Sequence, residues 1–308
     1  MTEHRVPRRT FLTTAAASVA GAALTTTGFA RVAGAAPASP APGYPTDALR
    51  VATSSVRLGV ASYSLRKFPL DKALDMIKAL RTPYVNFKSM HVPYEKSTTE
   101  LEAMRAQIQA AGFQIVGGGT IDFNKDTDED VKRLFEYAKA AGMPTMVSTC
   151  DPATLPRVEK FAKQYDIKVA IHNHGPEDKK YPSPYDVLKY VKNMDPRMGL
   201  CIDIGHTVRT GTDVVKSIID AGPRLLDMHV KDLRDLKNKD SQVIVGEGAL
   251  PFPEIFRALD TIRYGGFVNL EYEIDADDPL PGMKQSFAYM RGVLAGMNGV
   301  SRTASAGG

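Results

Sequence analysis

Residues 168–206 read KVAIHNHGPEDKKYPSPYDVLKYVKNMDPRMGLCIDIGH, and this stretch decides the fold. It opens on a short apolar run, Lys168–His172, that ends in polar residues. A segment of helical period follows at Pro184–Asn193, and a second apolar run, Gly199–Asp203, closes it. A β-run, an amphipathic helix and another β-run make a unit whose two strands lie parallel.

The same unit recurs outward in both directions. Strands are expected near Leu58–Tyr63, Tyr84–Phe87, Gln114–Gly117 and Thr145–Ser148 before it, and near Leu225–Val230 and Phe267–Glu271 after it. Helices are expected near Asp71–Leu80, Thr98–Ala111, Asp128–Ala141, Ala153–Tyr165, Asp213–Ala221, Pro253–Ile262 and Met283–Leu294. Leu101, Met104 and Ile108, like Val131, Leu134, Phe135 and Ala138, carry the helical spacing. Eight such units in about 250 residues predict a single α/β domain, a closed (β/α)8 barrel over residues 57–296 with a tail at 297–308. An open doubly wound sheet is the competing arrangement, but the first strand-helix turn lacks the glycine fingerprint of a dinucleotide site.

The chain has 308 residues, 39 Lys+Arg, 35 Asp+Glu, two Cys and no Trp. Its 43% apolar and 24% charged residues are globular proportions. Two cysteines exclude a disulfide scaffold. Cys150, at the end of strand four, and Cys201, placed at the start of strand six, are expected as free, buried thiols at opposite ends of non-adjacent strands. Residues 1–35 contain Arg5, Arg8, Arg9 and Arg31 against Glu3. Beyond them 35 basic residues face 34 acidic ones, a net of +1. The basic excess belongs to the leader, and the charge of the body argues against nucleic acid.

That leader reads Pro7-Arg8-Arg9-Thr10-Phe11-Leu12, an Ala/Thr-rich run and then Ala33-Gly34-Ala35. A charged start, a mildly apolar stretch and a small-x-small end are the parts of a cleaved export signal. The paired arginines before Phe-Leu resemble the twin-arginine signal, with Thr13 where a lysine is common. They imply the twin-arginine export machinery as partner and a periplasmic or extracellular location after cleavage near Ala35. The threonines in the run make it too polar for a stable membrane anchor. Residues 36–56, with four prolines, read as a flexible linker.

In a barrel of this kind chemistry sits at the C-terminal ends of the strands. Five histidines of the body fall there: His91 after strand two, His172 and His174 at strand five, His206 after strand six and His229 in strand seven, none on a helix surface. Asp203 and Glu271 end strands six and eight. Imidazoles with carboxylates around one opening suit a divalent ion such as Mn²⁺, Zn²⁺ or Co²⁺. For Asp203 the bland alternative is a helix N-cap, a job better suited to Thr212 or Asp213. For Glu271 it is a solvated residue just past the strand. Gly117-Gly118-Gly119 reads as a room-making turn at the end of strand three and not as a phosphate cradle.

The Asp-x-x-His of strand six, the His-x-Lys-Asp of strand seven, Val245-Gly246-Glu247-Gly248 and the Leu-Glu of strand eight resemble the xylose isomerase-like TIM barrels, over roughly Arg57 to Leu294. These include sugar phosphate isomerases and epimerases, ketose 3-epimerases, inosose dehydratases and endonuclease IV. The resemblance implies one divalent metal held by Asp203, His229 and Glu271, with His206 touching substrate. Where the epimerase pattern has Glu in a Glu-Asn-His run, this chain has His172-Asn173-His174, which resembles the inosose dehydratase side. His172 is then a candidate fourth ligand.

The shared chemistry implied is proton abstraction beside a sugar carbonyl, giving an isomerase or epimerase, or a dehydratase by elimination. Lys88, His174 and His206 are candidate proton carriers and Glu271 a candidate catalytic carboxylate. His91, Tyr63 and Lys231 are candidate substrate contacts. Losing one of the two glutamates of an epimerase makes one-base isomerisation or elimination more plausible than epimerisation. Two rivals stand beside this reading. A metal-dependent hydrolase would show itself on phosphodiesters. A non-catalytic carbohydrate-binding barrel would need stacking aromatics, for which Tyr63, Phe87, Phe123 and Tyr272 are placed.

Overall fold

The computed structural model describes residues 56–304, with side chains to 297. The expected leader, and the linker except for Val56, lie outside the described residues. Eight strands, β1 (Arg57–Ala61), β2 (Tyr84–Phe87), β3 (Gln114–Phe123), β4 (Thr145–Cys150), β5 (Lys168–His172), β6 (Met198–Asp203), β7 (Leu225–Val230) and β8 (Phe267–Leu270), form one closed barrel. All are parallel, each beside its neighbour in sequence, and β8 closes on β1 through Arg57↔Phe267 and Val60↔Leu270. The expected (β/α)8 barrel is therefore what the chain forms.

Around it lie α1 (Leu70–Ala79), α2 (Thr98–Ala110), α3 (Asp128–Ala140), α4 (Leu155–Tyr165), α5 (Pro184–Val191), α6 (Ile204–Arg209), α7 (Val214–Ala221), α8 (Phe252–Thr261) and α9 (Leu280–Ala304). Their starts are set locally. Ser97 and Glu100 form a capping box on α2, and Thr127 and Asp213 accept backbone N–H groups on α3 and α7. Each helix then buries a stripe, such as Leu155, Val158, Phe161 and Ala162 of α4, against the strands. Strands covered on both faces carry nearly continuous burial, and all six residues of β6 are inside.

Three elements differ from expectation. β3 does not turn at Gly117-Gly118-Gly119 but runs on to Phe123, with a register shift between Gly118 and Ile121. The glycines do make room: Gly119 has φ +133°, and a Cβ there would fall 1.9 Å from the Val147 carbonyl oxygen. A short helix, α6, starts directly after Asp203, which puts His206 on a helix after all. The last helix runs past 297, the expected start of the tail, to Ala304. No helix among the described residues is long and apolar enough to cross a membrane.

Candidate functional site

The register sets the strand ends side by side, with His172 opposite Cys201 and Asp203 opposite His229. Glu271 follows β8, its N–H donating to the Val230 carbonyl at 2.9 Å. His172, Asp203, His229 and Glu271 thus each offer a ligand atom, all within 4.8 Å of one another and all buried. His172 Nε2 lies 3.2 Å from His229 Nδ1 and 3.7 Å from Asp203 Oδ2, and His229 Nδ1 lies 3.5 Å from Glu271 Oε1. A tetrahedral Zn²⁺ with bonds of about 2.0–2.1 Å needs ligand-to-ligand edges of about 3.3–3.4 Å, so these spacings fit one ion.

Charge and unmet bonding agree with the geometry. Asp203 Oδ2 is buried without a hydrogen-bond partner, although Lys231 Nζ stands 3.1 Å away. Lys231 Nζ also lies 2.9 Å from Glu271 Oε2 and pairs with Glu273. Three carboxylates about one ammonium leave two negative charges, which a divalent cation offsets. Burial alone would pull the Lys231 ammonium down, but Asp203, Glu271 and Glu273 hold it well above its usual value. Burial works against the Glu271 carboxylate, yet Lys231 and His229 hold it well below the ordinary range. His172 is driven well down by burial and by the neighbouring His174 and His229, which keeps it neutral and able to offer a lone pair. Burial also opposes charge on His229, but Glu271, Asp227 and Asp203 outweigh it and raise the imidazole.

Cys201 offers a second donor set with His172 and His229. Burial pushes its thiol well up, with Asp227 adding to the effect, so it is a poor thiolate and the carboxylate set prevails. Both cysteines are free and buried as expected. Their placement at opposite strand ends is wrong, because β6 begins at Met198 and Cys201 sits two residues before Asp203. Below the four clustered residues Asp227 accepts from Asn86 Nδ2 and Asn269 Nδ2, each at 2.7 Å, while burial pushes it up to about 6.

Asp203 is itself an N-cap, the task expected of Thr212 or Asp213, and it also faces the cluster. Its Oδ1 caps α6 by accepting the His206 N–H at 2.8 Å, and its Oδ2 faces the ligand cluster. Asp213 caps α7 as expected. Beside the cluster opens a cleft of about 480 Å³, bordered by His174, His206, Arg209, Lys231, Gln242 and Glu273 among others. That volume suits a small molecule. Burial and the adjacent His206 lower the pKa of His174, whose Nδ1 lies 3.4 Å from Asp178 Oδ2.

Several candidates stand elsewhere. His91 is not part of the cluster: its Nδ1 meets Ser62 Oγ at 2.9 Å and its Nε2 the Phe68 carbonyl at 3.1 Å, so it is a satisfied buried histidine. Burial lowers its pKa below 6.5. The unfolded chain therefore takes a proton first as pH falls, and stability that is full above about 6.5 is lost below it. His91→Gln should flatten the fall in Tm between pH 7 and 5.5. An unchanged slope would mean that His91 is not held neutral. Lys88 donates to Thr120 Oγ1 at 2.8 Å with its ammonium 5.1 Å from the centre of the Tyr63 ring, and neither borders the cleft. Phe87, Phe123 and Tyr272 are in the core, at most 2% exposed, and cannot stack on a sugar. Lys231, expected as a substrate contact, does border the cleft and is also the counter-ion of the carboxylates.

The remaining motif is architectural. Asp232 Oδ2 accepts the N–H groups of Gly246 and Gly248, and Oδ1 those of Leu233 and Leu250, which folds the Val245-Gly246-Glu247-Gly248 loop. Asp232→Ala should cost about 3 kcal/mol, since unmet buried donors cost roughly 1–3 kcal/mol each. Urea denaturation would show it, and a change below about 1 kcal/mol would mean the loop holds itself. Sequence reasoning missed Glu177, Arg209, Gln242 and Glu273. The His206/Arg209 spacing of three on a helix was the available signal for one of them.

The family profile described as xylose isomerase-like TIM barrel matches residues 81–293, well over half of the chain. An inosose dehydratase of Mesomycoplasma hyopneumoniae is 26% identical over 155 residues, covering 44% of this chain and 51% of that protein. The chain spans about half or less of the length of the first curated relatives it matches. Among solved structures, an uncharacterised protein from Parabacteroides distasonis superposes with TM-score 0.61 at 25% identity, over 77% of this chain and 98% of its own. IolI protein, solved with a bound zinc atom, superposes with TM-score 0.63 at 17% identity over 76% and 98%, a likeness of fold. The profile match over this length, on a closed barrel with its polar cluster at the strand ends, places the chain in the xylose isomerase-like TIM barrel family.

Proposed function

We propose that the protein is a divalent-metal-dependent enzyme that removes a proton beside the carbonyl of a small carbohydrate and then expels a β-hydroxyl as water. The observation that carries this reading is the buried His172, Asp203, His229 and Glu271 set beside a cleft of about 480 Å³. A bound divalent ion would polarise the carbonyl and offset the negative charge developing on its oxygen. Two imidazoles with two carboxylates favour Zn²⁺ or Co²⁺ over Mg²⁺.

The protein's own groups do the rest. His174, half-exposed on the cleft with a lowered pKa, is the base that takes the C–H proton. The electron pair of that bond moves to the carbonyl oxygen and then returns to expel the β-hydroxyl, which takes the proton back from His174 and leaves as water, so that the base is regenerated. Glu271 stays ionised beside Lys231 and His229 and serves as a ligand. Elimination is favoured over epimerisation because His172 stands where a second glutamate would share the acid-base work. The relatedness to inosose dehydratases supports the same choice. Isomerisation shares the first step and differs only in where the proton returns.

The test is deuterium incorporation from D₂O next to the carbonyl of keto-sugars and inososes, with the expected exchange abolished by chelator and a dehydrated product formed. Turnover without exchange would replace this mechanism with hydrolysis. We also propose that the enzyme is exported by the twin-arginine route. Arg8→Lys with Arg9→Lys should retain the uncleaved precursor in the cytoplasm, and unaltered export would reject that route.

A further inference from the structure

We propose that Arg209 is a positioning residue that fixes the tautomer of His206, making His206 a hydrogen-bond donor to a substrate oxygen and not a proton acceptor. Arg209 Nη1 lies 3.0 Å from His206 Nδ1. A guanidinium has five donor hydrogens and no acceptor, so the nitrogen it faces must present a lone pair. With Nδ1 unprotonated, the ring hydrogen of neutral His206 resides on Nε2. That nitrogen lies 3.9 Å from Asp203 Oδ2, the atom that faces the ligand cluster. His206 therefore points an N–H at the place where a carbonyl or hydroxyl oxygen of the substrate would lie.

The arrangement is built and not incidental. The Arg209 side chain is 5% exposed, and its Nη2 pairs with Glu177, so the guanidinium is held between that carboxylate and the ring. Gly175, at φ +86°, presses its backbone onto the pair: a Cβ there would lie 3.1 Å from Arg209 Nη1 and 3.4 Å from His206 Nδ1. That close approach leaves little room for a side chain at position 175. The contrast with the cluster is instructive. His172 Nδ1 and His229 Nε2 have no hydrogen-bond partner, and the other nitrogens of those rings meet each other and the carboxylates of the cluster, whereas the tautomer of His206 is set by a guanidinium. The inference rests on the proposed reaction for its catalytic meaning. It divides the work there, leaving His174 to accept the C–H proton and His206 to hold the oxygen.

The experiment is long-range ¹H–¹⁵N correlation of ring nitrogens in the full chain labelled at histidine, with and without added Zn²⁺, His206 being assigned by loss in His206→Gln. The wild type should show His206 protonated at Nε2 alone. Arg209→Leu should shift it to an Nδ1–H or mixed pattern while leaving His174 as it was. Glu177→Gln, a change at an exposed residue, should loosen the selection in a protein that folds normally. Arg209→Lys should restore the Nε2–H form in part. With an active substrate, Arg209→Leu should lower kcat about tenfold and change KM less than about threefold, because it alters an interaction strengthened in the transition state. His206 protonated at Nδ1 in the wild type, or an unaltered tautomer in both Arg209→Leu and Glu177→Gln, overturns the proposal. The spectra answer whether or not a substrate is turned over, so failure of the proposed reaction is read separately.

Discussion

Glu271→Gln is expected to strip the centre of its ion: protein purified after loading with Zn²⁺ should retain little of it after gel filtration, and turnover should fall by more than about a hundredfold. Disturbing the partners that merely orient metal ligands costs roughly 10–100-fold, so loss of a ligand should exceed that. The replacement keeps the size of the side chain but removes the charge that faces Lys231 at 2.9 Å and His229 at 3.5 Å. Two negative charges around the site become one, and a divalent cation is no longer matched. His206→Ala is the control, since His206 touches the site through Asp203 and is not among the clustered ligand atoms. It should keep the ion and lose turnover. Ion lost from His206→Ala and kept in Glu271→Gln would reverse the assignment of the two residues.

The barrel was legible because strands buried on both faces must be apolar and short, whereas helices buried on one face must repeat with a period near 3.6. Lys168–His172 was read with both ends correct for that reason. The clustering at the strand ends was legible too, because Asp203, His229 and Glu271 interrupt apolar runs where a buried charge needs a cation. What escaped the sequence depends on where side chains point once the barrel closes. His91 sits at a strand end like the others, but Ser62 and the Phe68 carbonyl take both its nitrogens. Phe87 and Phe123 looked like a sugar platform and instead fill the core. Lys231 was expected at the substrate cleft, which it borders, but its second task was not visible. Its stem carries it to three carboxylates from two other strand ends, a convergence that linear spacing does not show.

That convergence makes Lys231 the second large effect. Lys231→Met should destabilise the metal-free protein by about 3–5 kcal/mol, the range for removing one partner of a buried ion pair. For a domain of this size that corresponds to a fall in Tm of about 10 °C. Asp203 and Glu271 would then be buried without the ammonium that lies 3.1 and 2.9 Å from them. Added Zn²⁺ should recover most of the loss, because the ion supplies the missing positive charge and binds the variant more tightly than the wild type. The pH dependence has a definite sign. In the wild type the Glu271 carboxylate is held well below its ordinary 4.5, so its stabilisation is present above that value and is lost as pH falls through the lowered one. In Lys231→Met the principal cause of that lowering is gone, and burial then drives the carboxyl to take a proton nearer neutrality. The gap in Tm between the two metal-free proteins should therefore narrow from pH 8 to pH 5. A gap that stayed constant over that range, or a variant as stable as the wild type without metal, would mean that Lys231 is not the charge holding the carboxylates in place.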